Sequence, residues 1–312
     1  MYSYVIKRLM FACVTLFAVL TLVFFLVRIV PGDPAQVILG DQASEQAVAA
    51  LRARLGLDLP LHLQYWDFLS GALVGDWGRS MVTGSAVFEE VMLVLPYTLE
   101  LTVVSLAFGV VVGVPLGVWA AVRRNGIVDY AIRVTSLLGL SFPAFVAAIL
   151  LLMGFAIQLR WFPVISSGGD GLFDHLRGLV LPSVSLGLIM AAFITRVARS
   201  SMLEVLNQDY VRTAMAKGVP ERVVIWRHSL RNALIPIVTV VGLYLGVQVG
   251  NSVLTEIVFN RPGLGKLIVG ALTQRDYTML QGLIVVYAFI IVIVNIMTDL
   301  TYGLIDPRVK YS

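Results

Sequence analysis

Binding and splitting a nucleotide requires a glycine-rich loop of the form Gly-x-x-x-x-Gly-Lys-Ser/Thr, whose amides and lysine hold phosphates while the hydroxyl holds magnesium. The nearest approach in this sequence, Gly263-Leu-Gly265-Lys266-Leu267, has leucine where the hydroxyl belongs. No ATPase of its own is therefore expected, and any ATP-driven work must draw on another polypeptide. Hydrolytic and metal chemistry fare no better. The three histidines, His62, His175 and His228, fall in separate polar stretches, and neither His-Glu-x-x-His nor Gly-x-Ser-x-Gly occurs. We expect neither an enzyme nor a bound metal or cofactor.

The chemistry-bearing residues that do cluster are basic. Residues 201–236, SMLEVLNQDYVRTAMAKGVPERVVIWRHSLRNALIP, carry Arg212, Lys217, Arg222, Arg227 and Arg231, with Arg196 and Arg199 just upstream. Met202, Val205, Leu206, Tyr210, Thr213 and Ala214 recur at helical spacing, and so do Val223, Val224, Trp226, Leu230 and Leu234. Between the two patterns lies Lys217-Gly218-Val219-Pro220. Glycine ends a helix in the left-handed conformation, lysine suits its negative end, and proline opens the next helix. The stretch reads as helix, sharp bend, helix, a shape that fits a groove on a partner and passes a push onward.

The elements that position it are hydrophobic. Of 312 residues 58% are hydrophobic and 13% charged, and a mean hydropathy of +0.88 excludes an ordinary soluble domain. The formal charge of +4 is too small to point to nucleic acid. One cysteine, Cys13, rules out an internal disulfide. Apolar stretches at roughly 9–30, 97–122, 132–159, 179–197, 233–257 and 280–305 are each long enough to cross about 30 Å of hydrocarbon. The first is too long for a secretory signal and lacks a small-residue cleavage site, so it reads as a retained anchor, with Arg28 reaching the interface. Lys7, Arg8, Arg123, Arg124, Arg133, the basic loop, Arg308 and Lys310 share one side if both termini are cytoplasmic. The positive-inside rule selects that orientation. The expectation is an all-α integral membrane protein, one transmembrane domain over 1–312, with six spans, a long external segment at 31–96 and a cytoplasmic loop at 201–232. Within the external segment Ser44 is placed to cap a helix over 45–55 that stops at Gly56. Tyr65, Trp66, Phe68 and Trp77 suggest a second piece lying at the membrane interface.

Residues inside the spans give further expectations. Gly109, Gly113 and Gly117, and again Gly242, Gly246 and Gly250, repeat every fourth residue and make smooth faces for close helix packing, within this bundle or against another subunit. Pro115, Pro143 and Pro182 are possible kinks. Polar groups near mid-membrane include Ser105, Ser141, Ser185, Gln248, Asn251, Asn295 and Asp299. Ser141, Gln248, Asn251 and Asn295 are the candidates for a translocation path, and no chain of buried acids suggests a proton relay.

Tyr210-Val-Arg-Thr-Ala-Met-Ala-Lys-Gly218 followed by Arg227-His-Ser-Leu-Arg-Asn-Ala-Leu-Ile-Pro236 resembles the cytoplasmic "EAA" loop of ABC-importer permeases, in its dipeptide/oligopeptide/nickel branch. Arg212-Thr213-Ala214 stands where the general pattern has Glu-Ala-Ala. Further matches are Pro31-Gly-Asp-Pro34, Gly75-Asp-Trp-Gly-Arg-Ser80, Leu95-Pro-Tyr-Thr-Leu-Glu-Leu101, Ser141-Phe-Pro143, Arg261-Pro-Gly-Leu-Gly265, Arg275-Asp-Tyr277 and Asp306-Pro-Arg308, so the resemblance covers the whole chain. It implies a prokaryotic inner-membrane subunit that pairs with a homologous permease. It also implies two ATP-binding subunits, which hold ATP and magnesium, and an external substrate-binding protein. Tyr210, Arg212, Thr213, Ala214, Lys217 and Gly218 would be the coupling contacts, supported by Arg227, His228, Arg231 and Asn232. Small peptides are the implied cargo, with glutathione, an opine or a nickel chelate as the alternative. A stand-alone secondary transporter or channel would instead show internal repeats, broken spans or paired buried charges.

Overall fold

The computed structural model describes residues 2–29, 34–40, 43–54, 56–165 and 171–305. The Asp306-Pro-Arg308 motif, Lys310 and most of Pro31-Gly-Asp-Pro34 lie outside these, as do the side chains of Arg28 and Asp299. The described residues form helices: α1 (Tyr2–Ile29), α2 (Pro34–Leu39), α3 (Glu45–Arg54), α4 (Leu61–Val74), α5 (Val87–Val122), α6 (Ile127–Ser141), α7 (Ala144–Leu151), α8 (Leu172–Leu206), α9 (Asp209–Ala216), α10 (Glu221–Val223), α11 (Leu230–Val258), α12 (Leu264–Thr273) and α13 (Tyr277–Ile305). Two π-helical segments extend them, Leu152–Gln158 after α7 and Val224–Ser229 between α10 and α11. No strand forms among the described residues beyond the isolated bridge between Arg79 and Ala86.

Five helical stretches are long and apolar enough to span a bilayer: Ile6–Leu26, Val87–Val122, Leu172–Leu206, Glu221–Val258 and Tyr277–Thr298. The expected span at 132–159 is different in kind. It is two helices, Ile127–Ser141 and Ala144–Gln158, bent by 100°. Pro143 explains the break, because it has no amide hydrogen to continue α6 and forces its predecessor Phe142 into extended backbone (φ −99°, ψ 129°). Pro182, by contrast, is absorbed inside α8. Several spans also run longer than their apolar windows. Thirty-six residues of α5 measure about 54 Å at 1.5 Å per residue, well beyond the hydrocarbon thickness. Glu89 and Glu90 in its first turn, favourable at the positive end of a helix, hid that extension from a reading based on hydrophobicity.

The chain divides into two compact units, residues 1–96 with 263–296 and residues 97–262 with 297–312. In the first unit α4 docks on α1. Phe24 is fully buried between Tyr65 and Phe68, and Tyr65 Oη shares a hydrogen bond with Thr21 Oγ1 at 2.7 Å. Tyr65 and Phe68 are thus half-buried in this packing, as is Trp77 against Phe88, while Trp66 points outward, 68% exposed. Ser44 caps α3 as its spacing predicts, its Oγ accepting from the Ala47 amide at 3.3 Å, and Gly56 follows with φ +65°.

The second unit has its principal core where α5, α8 and α11 meet. Val114, Val118 and Ala121 pack with Met190, Ile194, Ala198, Met202, Ile225, Ala233 and Ile237. A smaller core joins Ala148 and Ala156 to Leu181 and Phe259. The first core lies at the Leu206 end of α8, directly above the bent basic segment.

Candidate functional site: the bent basic segment and its attachments

After α8 ends at Leu206, Asn207 and Gln208 turn the chain, and extended backbone at Gln208 (φ −75°, ψ 147°) starts α9. Asp209 occupies the first turn, where a negative charge favours helix. Val211 is fully buried and anchors α9, while Tyr210, Arg212, Thr213 and Lys217 are exposed. The end of α9 closes with paired reversed bonds: Val219 N–H donates to Ala214 O at 3.2 Å and Gly218 N–H to Met215 O at 3.0 Å. This pattern requires a left-handed residue, and Gly218 has φ +76°. Pro220, at φ −54°, then leads into the next helix.

That helix is joined to α9 by a side-chain bond, Asn232 Nδ2 donating to Tyr210 Oη at 2.7 Å. Arg227, His228, Arg231 and Asn232 are exposed beside Tyr210, Arg212, Thr213, Lys217 and Gly218, and Ala214 is half-buried. Nine of the ten expected contact residues thus lie on accessible surface. The π-helical segment Val224–Ser229, within which Arg227 and His228 fall, was not foreseen.

The path candidates separate. Ser141, at the α6–α7 break, is exposed, as are Asn251 and Asn295. Gln248 is not: it is 3% exposed, and its Nε2 donates to Ser105 Oγ at 3.2 Å and Leu186 O at 3.1 Å. Although it sits three residues before Asn251, it turns inward and bolts α11 to α5 and α8. Gln248→Leu should therefore destabilise the fold by about 1–3 kcal/mol without altering cargo selectivity, because it removes the two buried bonds that tie α11 to Ser105 Oγ of α5 and Leu186 O of α8. Thermal unfolding in detergent and cargo competition together check this; a selectivity change at unaltered stability would return Gln248 to the path.

The glycines also divide. A β-carbon on Gly109, Gly113 or Gly117 would collide with Met190, Ala191, Ile194, Thr195 and Ala198, so this face is filled by α8 of the same chain. Gly242 lies against Thr298, and Gly250 faces open space.

Buried ion pairs were the main omission from the sequence reading. Asp129, 1% exposed, accepts from Arg199 Nε at 2.6 Å and Nη2 at 2.7 Å. Arg261, fully buried, bonds Glu100 through Nη2, and Glu100 also meets His175 Nε2 at 2.6 Å. Glu256, fully buried, accepts from Thr98 Oγ1 at 2.7 Å. In the other unit Asp276 accepts from Ser80 Oγ and from the Met279 amide that starts α13. A carboxylate at one end of an apolar run and an arginine at the end of another is the signal for the Asp129–Arg199 pair, but Arg133, four residues on, offered Asp129 a local alternative in the sequence.

Residues 113–311 match the family described as binding-protein-dependent transport system inner membrane component, and residues 1–102 match its N-terminal companion. The chain belongs to this family. It is 41% identical, over the whole length of both chains, to the glutathione transport system permease protein GsiC of Escherichia coli (strain K12) and to that of Salmonella typhimurium. Its fold is similar to that of a chain in the MetNI methionine ABC transporter, with a TM-score of 0.58, 21% identity, and coverage of 69% of this chain and 96% of the other. A second similar chain, from an amino acid ABC transporter, gives 0.50 at 14% identity, covering 71% and 94%. This permease is thus an inner-membrane subunit of a bacterial ABC importer. Its family implies ATP-binding and substrate-binding partners.

Proposed function

We propose that this permease carries glutathione or a closely related small peptide. Full-length identity of 41% to glutathione permeases supports this reading over the broader di- and oligopeptide cargo that the motifs suggested first. In the proposed assembly it pairs with a homologous permease, two ATP-binding subunits hold ATP and magnesium, and an external binding protein delivers cargo. The positive-inside rule puts both termini and residues 201–232 in the cytoplasm. There the exposed face of α9, with Tyr210, Arg212, Thr213 and Lys217, meets an ATP-binding subunit, and Ala214 and Gly218 shape the end that docks. Arg227, His228, Arg231 and Asn232 back it from the following helix. Movement of α9 passes into α8 on one side and through Tyr210–Asn232 into α11 on the other. Ser141, Asn251 and Asn295 offer weakly polar, exposed positions along a path; Gln248 is withdrawn from it.

The test is uptake by cells that lack their own glutathione importers and express this permease with its genomic neighbours. Radiolabelled glutathione should enter at a rate competed by unlabelled glutathione, and poorly by a dipeptide or a nickel chelate. Competition by dipeptides at equal or lower concentration would restore the broader peptide reading.

A further inference from the structure

We propose that Asp129 and Arg199 form the handle by which motion of α8 reaches the broken span, so that they are positioning residues for transport. This rests on the ABC-importer mechanism proposed above and adds to it a route that the docking surface does not supply.

The attachment of α6 carries the inference. Every residue of α6 is described, and Asp129 is the one that is buried. Its other faces are half-buried or exposed, with Leu137 and Leu138 more than half exposed. Apolar packing therefore holds this end of α6 only weakly. The ion pair holds it instead, through two short charge-assisted bonds in fork geometry, the arrangement with the greatest directional stiffness among side-chain bonds. Asp129 Oδ2 also accepts from the Asn125 amide at 2.9 Å, which fixes the left-handed turn at Asn125 (φ +61°) between α5 and α6. Further along, α6 runs beside α8, and Gly139 lets it approach closely, a β-carbon there lying 3.2 Å from Ala192 Cβ.

On the α8 side Arg199 belongs to the moving part. It sits two turns before Leu206, in the same stretch as Ala198 and Met202 of the core above α9. On the far side of the break α7 is held separately. It packs on α8 and α11, and Ala148 is buried with Leu181 and Phe259. The two halves of the broken span are thus fastened to different ends of α8, with Phe142 and Pro143 between them and no continuous helical hydrogen bonding across the 100° bend. A shift of the Leu206 end of α8 pulls α6 through Asp129 while α7 stays with the opposite end, and the bend at exposed Ser141 opens or closes.

The experiment uses the complete importer in proteoliposomes, comparing Asp129→Ala, Arg199→Ala, the double variant and Arg199→Lys with the unsubstituted complex. ATP-dependent uptake, ATPase rate and the yield of assembled complex are measured together. Uptake should fall about tenfold or more in each alanine variant while assembly and ATPase activity persist. The double variant should be no worse than the singles, since one handle is lost either way. Arg199→Lys keeps the charge but not the fork, and should recover part of the uptake. Uptake within about twofold of the unsubstituted level in the double variant would overturn the proposal. So would losses that simply follow the amount of assembled complex, the mark of a purely structural pair. If alanine variants fail to assemble, Arg199→Lys decides: normal uptake per assembled complex overturns the handle, and reduced uptake with intact ATPase supports it. Failure of the unsubstituted complex to couple ATP hydrolysis to any uptake would instead count against the importer mechanism itself.

Discussion

Proline at position 218 is expected to abolish ATP-driven uptake while leaving membrane insertion intact. Proline locks φ near −65°, whereas Gly218 sits at +76°, and proline would also delete the amide that bonds Met215 O. The turn between α9 and the next helix would have to be rebuilt, which re-aims the surface that bears Arg212, Thr213 and Lys217. Alanine makes the useful comparison. A β-carbon at Gly218 would find nothing within 4 Å, so Gly218→Ala meets only the left-handed backbone penalty of about 1–2 kcal/mol. It should slow uptake, and proline should stop it. Both variants should reach the membrane at normal levels, because no apolar span is touched. Uptake that survives Gly218→Pro would show that the bend does not transmit the ATP-driven movement.

Leucine at Gly117 should act on the fold instead. Even a β-carbon there would lie 2.5 Å from Ala198 Cβ and 2.6 Å from Thr195 O, neither of which can swing aside. α5 and α8 would have to separate along their shared core, at a cost of at least about 1–3 kcal/mol. The expected result is a lower unfolding temperature in detergent and little folded protein in the membrane. Gly250→Leu is the counterpart, since its β-carbon meets no neighbour within 4 Å. The isolated chain should tolerate it, and any loss of co-purifying second permease would locate a subunit interface on that face of α11. Unchanged stability of Gly117→Leu would contradict the close approach of the two helices.

The sequence made the long-wavelength features of the fold readable. Five of the six apolar runs become continuous helices, because burial in lipid demands uninterrupted backbone hydrogen bonding and leaves little else for such a run to do. The helix–bend–helix at 209–223 was legible for a local reason: Gly218 and Pro220 act on their own backbone and need no distant partner. Features that depend on remote contacts were not legible. Periodicity placed Gln248 on the face of Asn251, yet a turn of helix offers several directions, and only the position of Ser105 and Leu186 decides which is inward. The Asp129–Arg199 and Glu100–Arg261 pairs join residues far apart in the chain. Arg199, which read as a neighbour of the basic stretch, and Arg261 and Glu100, which read only as parts of motifs, prove to be internal fasteners. Pro143 was noted as a kink, but the size of the bend depends on what α7 packs against.

The π-helical segment Val224–Ser229 carries an evolutionary consequence. Its rings close from residue i to i+5 and so enclose one residue more than the α-helical rings on either side. Removing a single residue there would let the ladder relax to ordinary α geometry with both flanks still in phase. A homologous chain one residue shorter in this segment would absorb the deletion locally, with neither the basic surface before it nor the apolar span after it rotated out of place.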